Sequence, residues 1–159
     1  MTPTQEPPSG PPLLCQEHSI HTADSAEIDR FVTEVYVMME PALKTQGFIN
    51  PKFRINLALH EAVVNAWRHG NQKDPNLAVT VRWRINEDLV LEVLNEGEGF
   101  DFQSITDPRA CENISRSCGR GIAIIAYLAD QVSLHDRGRH LVASFGRVSA
   151  QDKKAATPT

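Results

Sequence analysis

Cysteine is scarce in this chain: Cys15, Cys111 and Cys118 are the only three in 159 residues. An odd and scattered set excludes a disulfide framework and fits a reducing compartment. Long apolar runs are missing too, so no segment is expected to span a membrane. The opening residues, MTPTQEPPSGPP, lack the basic region and apolar core of a secretory signal. A net charge of −4 and the lack of any basic block argue against a nucleic-acid footprint. His18, His21, Cys111 and Cys118 show no zinc-ligand spacing, the last two lying seven apart. These absences together predict a soluble, cytoplasmic protein with neither a membrane nor a nucleic-acid partner.

What remains is ordinary globular material, 41% hydrophobic and 23% charged. Residues 1–12 hold five prolines and residues 150–159 are polar and small, so both ends read as disordered tails. Between them, 13–149 runs without linker, repeat or low-complexity insert, which predicts one domain.

Residues 13–22 alternate weakly and suit an edge strand. A helix follows, capped by Asp24 or Ser25, with Ile28, Phe31, Val32, Val35 and Met39 at helical spacing. Pro41 should kink or divide it, and Gly47 should end it. A second helix is expected from near Pro51, with Asn50 as N-cap, to Gly70. LAVTVRWRI and LVLEVLN flank the turn NED as a hairpin. Gly97–Gly119 reads as a loop, GIAIIAYLADQV as a helix, and Val132–His135 and HLVASFGRV as strands around the turn DRGR. That order predicts an α+β two-layer sandwich, a mostly antiparallel sheet with helices on one face.

Three polar islands interrupt this scaffold. On the second helix, Ile55, Leu59, Ala62, Val63 and Ala66 form an apolar face, and Glu61, Asn65 and Arg68 or His69 form a stripe beside it. An amide next to a carboxylate suits a hard cation such as Mg²⁺, and the carboxylate suits a proton acceptor. The same pattern also suits a surface helix with a salt-bridged Glu61 and a capping Asn65. The second island, NEGEGFD (95–101), follows a strand, and its Gly97 and Gly99 allow close backbone approach or positive φ. Strand-end turns use the same residues routinely. The third, CGRGIAII (118–125), places a Gly-x-Gly at the start of an apolar helix, an anion site or a hinge.

In this order and at these separations, the three islands resemble the N box, G1 box and G2 box of the GHKL superfamily of gyrase, heat-shock chaperone, histidine-kinase and mismatch-repair ATPases. The resemblance covers about residues 14–148. The short chain, EAVVNAWRHGN and the brief loop before GRG look most like the anti-sigma-factor serine kinases of bacteria. No dimerisation helix with a phosphoacceptor histidine is present, which argues against a sensor histidine kinase.

The resemblance implies an ATP site with Mg²⁺. Glu61 would be the general base for a serine or threonine hydroxyl on a partner, and Asn65 would hold the metal. His69, Asn95, Gly97 and Gly99 would belong to the nucleotide pocket, and Gly119, Arg120 and Gly121 would close on the phosphates beneath a lid at 100–118. Arg30, on the first helix, would face a partner protein. Two departures stand out. Asn95 occupies a position where the family carries Asp, and GRH (138–140) replaces a Gly-Thr before the last strand, putting Arg139 and His140 near the base. Both fall at the adenine end, so weaker or less adenine-selective binding is expected. The implied function is an anti-sigma factor and ATP-dependent serine/threonine kinase, a homodimer that switches between a sigma factor and an anti-anti-sigma antagonist. A module of the same fold with weakened catalysis, or with protein binding alone, is the alternative, and a stand-alone GHKL ATPase subunit is a third.

Overall fold

A computed structural model describes residues 14–99 and 117–148. The expected tails, nearly all of the expected lid, and Cys111 lie outside these residues. Five strands form one antiparallel sheet in the order β1-β2-β3-β5-β4, from β1 (Leu14–Ile20), β2 (Val79–Ile85), β3 (Leu89–Asn95), β4 (Gln131–His135) and β5 (His140–Phe145). Helices pack on one face, so the expected α+β two-layer sandwich is the fold observed.

Helix α1 (Ser25–Thr45) buries Ile28, Phe31, Val32, Val35 and Met39, the stripe its sequence spacing selects. Asp24 is the cap, accepting a 2.8 Å hydrogen bond from Ala26 N–H, and Gly47 takes the left-handed conformation beyond the end at φ +79°. Pro41 does not divide the helix as expected. Its missing N–H deprives the carbonyl of Val37, a residue 61% exposed, so water can serve that group. Asn50 starts the second helix through its carbonyl, which accepts from Phe53 and Arg54 N–H at 3.1 and 3.0 Å. The second helix is continuous but not uniform: α2 (Leu57–Asn65) lies between π-helical turns at Lys52–Asn56 and Ala66–Gly70. Helix α3 (Ser117–Leu128) completes the layer.

Period-two alternation on the strands turns Val81, Trp83, Leu89, Leu91, Val93, Leu141, Ala143 and Phe145 toward the helices, where all are buried. Ile55, Leu59, Ala62, Val63 and Ala66 meet them from the helical side. Trp67 and Trp83 pack into this core, and the Trp67 indole N–H donates to Thr22 O at 2.8 Å. No helix of the described residues is long and apolar enough to cross a membrane.

Candidate nucleotide site

Asn95 continues the inward series Leu89, Leu91, Val93, so its side chain enters the space between sheet and helices. Only 8% of it is exposed, and its carbonyl Oδ1 has no hydrogen-bond partner. Asn65, at the end of α2, is 5% exposed, and its Nδ2 is likewise unpartnered. Both side chains line one cavity with Ala62, Ala66, Val93, Ile122, Leu134, Gly138 and Leu141. Buried amides normally find partners, so two orphaned ones facing a common space imply a ligand that supplies them. The cavity is about 10 Å³, room for roughly one water. A larger ligand therefore needs the cavity to widen.

Glycines set the walls. A Cβ on Gly121 would lie 2.6 Å from Asn65 Nδ2, so only glycine lets α3 approach the amide this closely. A Cβ on Gly70 would lie 2.4–2.5 Å from the carboxamide of Asn95. Gly70 reaches that place because the turn at Ala66–Gly70 is π-helical, closed by Asn71 N–H on Ala66 O at 2.8 Å. The extra residue in the turn makes Gly70, not Arg68 or His69, the successor of Asn65 on this side. Arg68 is exposed and His69 half-buried, so the expected third member of the polar stripe is replaced by bare backbone.

The strand-end glycines lock onto that backbone. A Cβ on Gly97 would come within 1.9 Å of Gly70 O, and Gly97 N–H donates to Asn71 Oδ1 at 2.8 Å. Asn71 also donates through Nδ2 to Leu77 and Ala78 O, at 3.1 and 2.9 Å, and is 2% exposed. The sequence marks Gly70 only as a helix end and gives Asn71 no role, although the Gly-Asn pair closing RHGN signals both. Gly99, at φ +81°, lies against the β4–β5 turn, where a Cβ would meet Arg137 O at 2.2 Å.

Glu61 lies one turn before Asn65 and is half-buried. Among the described residues it forms no ion pair, and Asn65 sits inside a helical run, not at a cap, so the surface-helix reading does not hold. Gly119 and Gly121 fall within α3, which starts at Ser117, two residues before the expected Gly-x-Gly opening. Gly119 remains in the first turn, where N–H groups lack partners inside the helix. Arg120 is exposed on α3 and Arg30 is exposed on α1.

Arg139 and His140 do not line the cavity as their sequence positions suggested. Arg139 gives its carbonyl to Asn95 N–H at 2.9 Å and turns its guanidinium to Asp136, at 2.6 Å. His140 alternates with the inward Leu141, so it lies on the opposite face of the sheet, 2.7 Å from Glu92 Oε2. Among the described residues, Asn95 thus shares the cavity with Asn65, Gly138 and apolar side chains.

Burial holds the His69 imidazole below its ordinary value of 6.5, and the Arg68 charge adds to this. The unfolded chain therefore binds the proton first, and stability should fall as pH drops below about 6.5. His69→Gln should flatten part of that decline, measured as the difference in denaturation midpoint between pH 7.5 and 5.5 for the two proteins.

A two-layer α+β domain whose helix and strand-end amides face one glycine-walled cleft defines a nucleotide-binding class. A model of the histidine kinase-like ATPase domain matches residues 22–145, well over half of the chain, and the chain belongs to that family. No curated protein matches the chain. The site's chemistry fits the group the family implies. The Asn65 carboxamide, turned about its last bond, presents oxygen to a hard cation, and the unpartnered Asn95 amide suits a base edge.

Proposed function

We propose that this domain is an ATP-dependent protein serine/threonine kinase that also acts as an anti-sigma factor by partner switching. The observation that carries the reading is the pair Glu61 and Asn65, one helical turn apart, with the buried and unpartnered Asn65 amide in the same cavity as Asn95. Bound Mg²⁺–ATP would supply the transferable phosphoryl group and neutralise its charge. Asn65 would hold the metal, and the first turn of α3, with Gly119, Arg120 and Gly121, would cover the phosphates. Glu61 would take the proton of a serine or threonine hydroxyl as its oxygen bonds to the γ-phosphorus and the β,γ-bridging oxygen leaves with ADP. The partner surface would include Arg30 on α1, and a homodimer would present two such surfaces.

Incubation with radiolabelled ATP, Mg²⁺ and an anti-anti-sigma-type domain tests this. Label on a serine or threonine of that domain supports the kinase. Nucleotide binding without transfer supports a binding module, and hydrolysis with no protein acceptor supports a plain ATPase. The module reading draws support from Asn95 and from His140, which Glu92 holds on the far face of the sheet. Arg30→Ala should weaken sigma-factor capture in a pull-down; unchanged capture would make Arg30 an ordinary surface residue.

A further inference from the structure

We propose that His135 and His140 form a two-histidine site for a divalent transition-metal ion such as Zn²⁺, on the sheet face turned away from the helices. The two are register partners across the β4–β5 hairpin, and their ring centroids lie 5.7 Å apart. Two imidazoles on one Zn²⁺ place their centroids about 5.3 Å apart at a tetrahedral angle and about 6.5 Å apart when linear, given Zn–N bonds of about 2.1 Å. The observed spacing falls inside that range. Each ring is already oriented from behind: His140 Nε2 lies 2.7 Å from Glu92 Oε2, and His135 Nε2 lies 2.9 Å from Ser133 Oγ. An ionised carboxylate only accepts, so Nε2 of His140 carries the proton and Nδ1 keeps the lone pair that a metal needs. The Ser133 hydroxyl can accept in the same way, and neither Nδ1 has a hydrogen-bond partner among the described residues. An oxygen behind a ligating imidazole fixes its tautomer and raises its basicity.

Among the described residues no group of three or more ligating side chains could hold a metal, so water completes the shell of this two-residue site. Imidazole suits Zn²⁺, Cu²⁺ or Ni²⁺, whereas Mg²⁺ prefers oxygen, so the site does not compete for the metal of the nucleotide cleft. The ion joins the two ends of the turn at 136–139. That turn carries Gly138, which lines the cavity, and Arg139, whose carbonyl receives Asn95 N–H. Asp136 and Arg137 both hold left-handed backbone there, at φ 51° and 58°, a conformation the flanking strands must impose. A clamp at the base of the turn therefore steadies one wall of the cavity. The inference does not depend on what the cavity binds.

The test is a calorimetric titration of Zn²⁺ into the full chain, with Mg²⁺ in excess, beside the double variant His135→Gln/His140→Gln. The wild type should show one binding event that the double variant lacks, and each single variant should weaken that event at least about tenfold. Glu92→Gln keeps both ligands and should still weaken it by about 10–100-fold, an effect that packing alone would not produce. An affinity unmoved by Glu92→Gln would remove Glu92 from this positioning role. Equal Zn²⁺ binding by wild type and double variant would overturn the proposal, because the ion then sits elsewhere on the chain. So would a lack of saturation below about 1 mM Zn²⁺. Both histidines lie outside the core, so the variants should fold, with circular dichroism matching the wild type. Should they not, Cu²⁺ bound to the wild type decides: magnetic-resonance coupling to two imidazole nitrogens supports the site, and coupling to fewer overturns it.

Discussion

Gly97→Ala should unfold the nucleotide cleft: a fall in stability of about 3 kcal/mol is expected, near the upper end for overpacking. The added methyl would sit 1.9 Å from Gly70 O, 2.6 Å from Gly70 C and 3.0 Å from Asn71 Cα. All three are backbone atoms, so no rotamer change relieves the clash, and the hydrogen bond from Gly97 N–H to Asn71 must break with it. For a domain of this size the melting temperature should drop by about 10 °C, and ATP binding should weaken about tenfold with the loss of the Asn95 and Asn65 geometry. Gly47→Ala supplies the comparison. That glycine has a left-handed backbone, φ +79°, but nothing within 4 Å of an added methyl, so its cost is strain alone, about 1 kcal/mol, with binding unchanged. Equal melting points for the two variants would mean that β3 approaches the helix end less closely than these distances require.

Glu61→Ala should separate binding from transfer. A carboxylate one turn from the amide proposed to hold the metal would act only when a hydroxyl loses its proton, so its removal should lower phosphoryl transfer by on the order of 10²–10⁴-fold. Nucleotide affinity should change little, because Glu61 is half-buried beside the cavity and does not line it. Initial rates of labelled-phosphate transfer, set beside a binding titration, make the distinction. A variant that transfers at the wild-type rate would leave Glu61 a structural residue, and parallel loss of binding and transfer would place it in the nucleotide contact instead.

Much of this was legible in the sequence, and each exception has a local physical cause. The stripe Ile28–Met39, the hairpin around NED and the buried face Ile55–Ala66 follow from periodicity, because burial on one face fixes spacing of about 3.6 or 2 residues. Asn65 stood out in a polar stripe beside the buried helix face, and Asn95 in a polar island directly after a strand. Spacing fails where the backbone departs from the regular period. The π-helical turn at Ala66–Gly70 put Gly70 where Arg68 or His69 was expected. Pro41 stayed inside a helix because the carbonyl it orphans belongs to an exposed residue. For His140, strand alternation decided the face, and alternation depends on a strand start that GRH does not announce. Asn71 holds the Gly97 loop through three hydrogen bonds to groups 6, 7 and 26 residues away, which no local pattern reveals.

One titration bears most directly on the cleft itself: ATP binding to wild type and to Asn65→Ala, each with and without Mg²⁺. If the orphaned amide is the metal's protein ligand, Mg²⁺ should tighten ATP binding to the wild type, and the alanine variant should lose at least about tenfold of that gain while keeping its metal-free affinity. An alanine variant that responds to Mg²⁺ as the wild type does would contradict the assignment of the cleft.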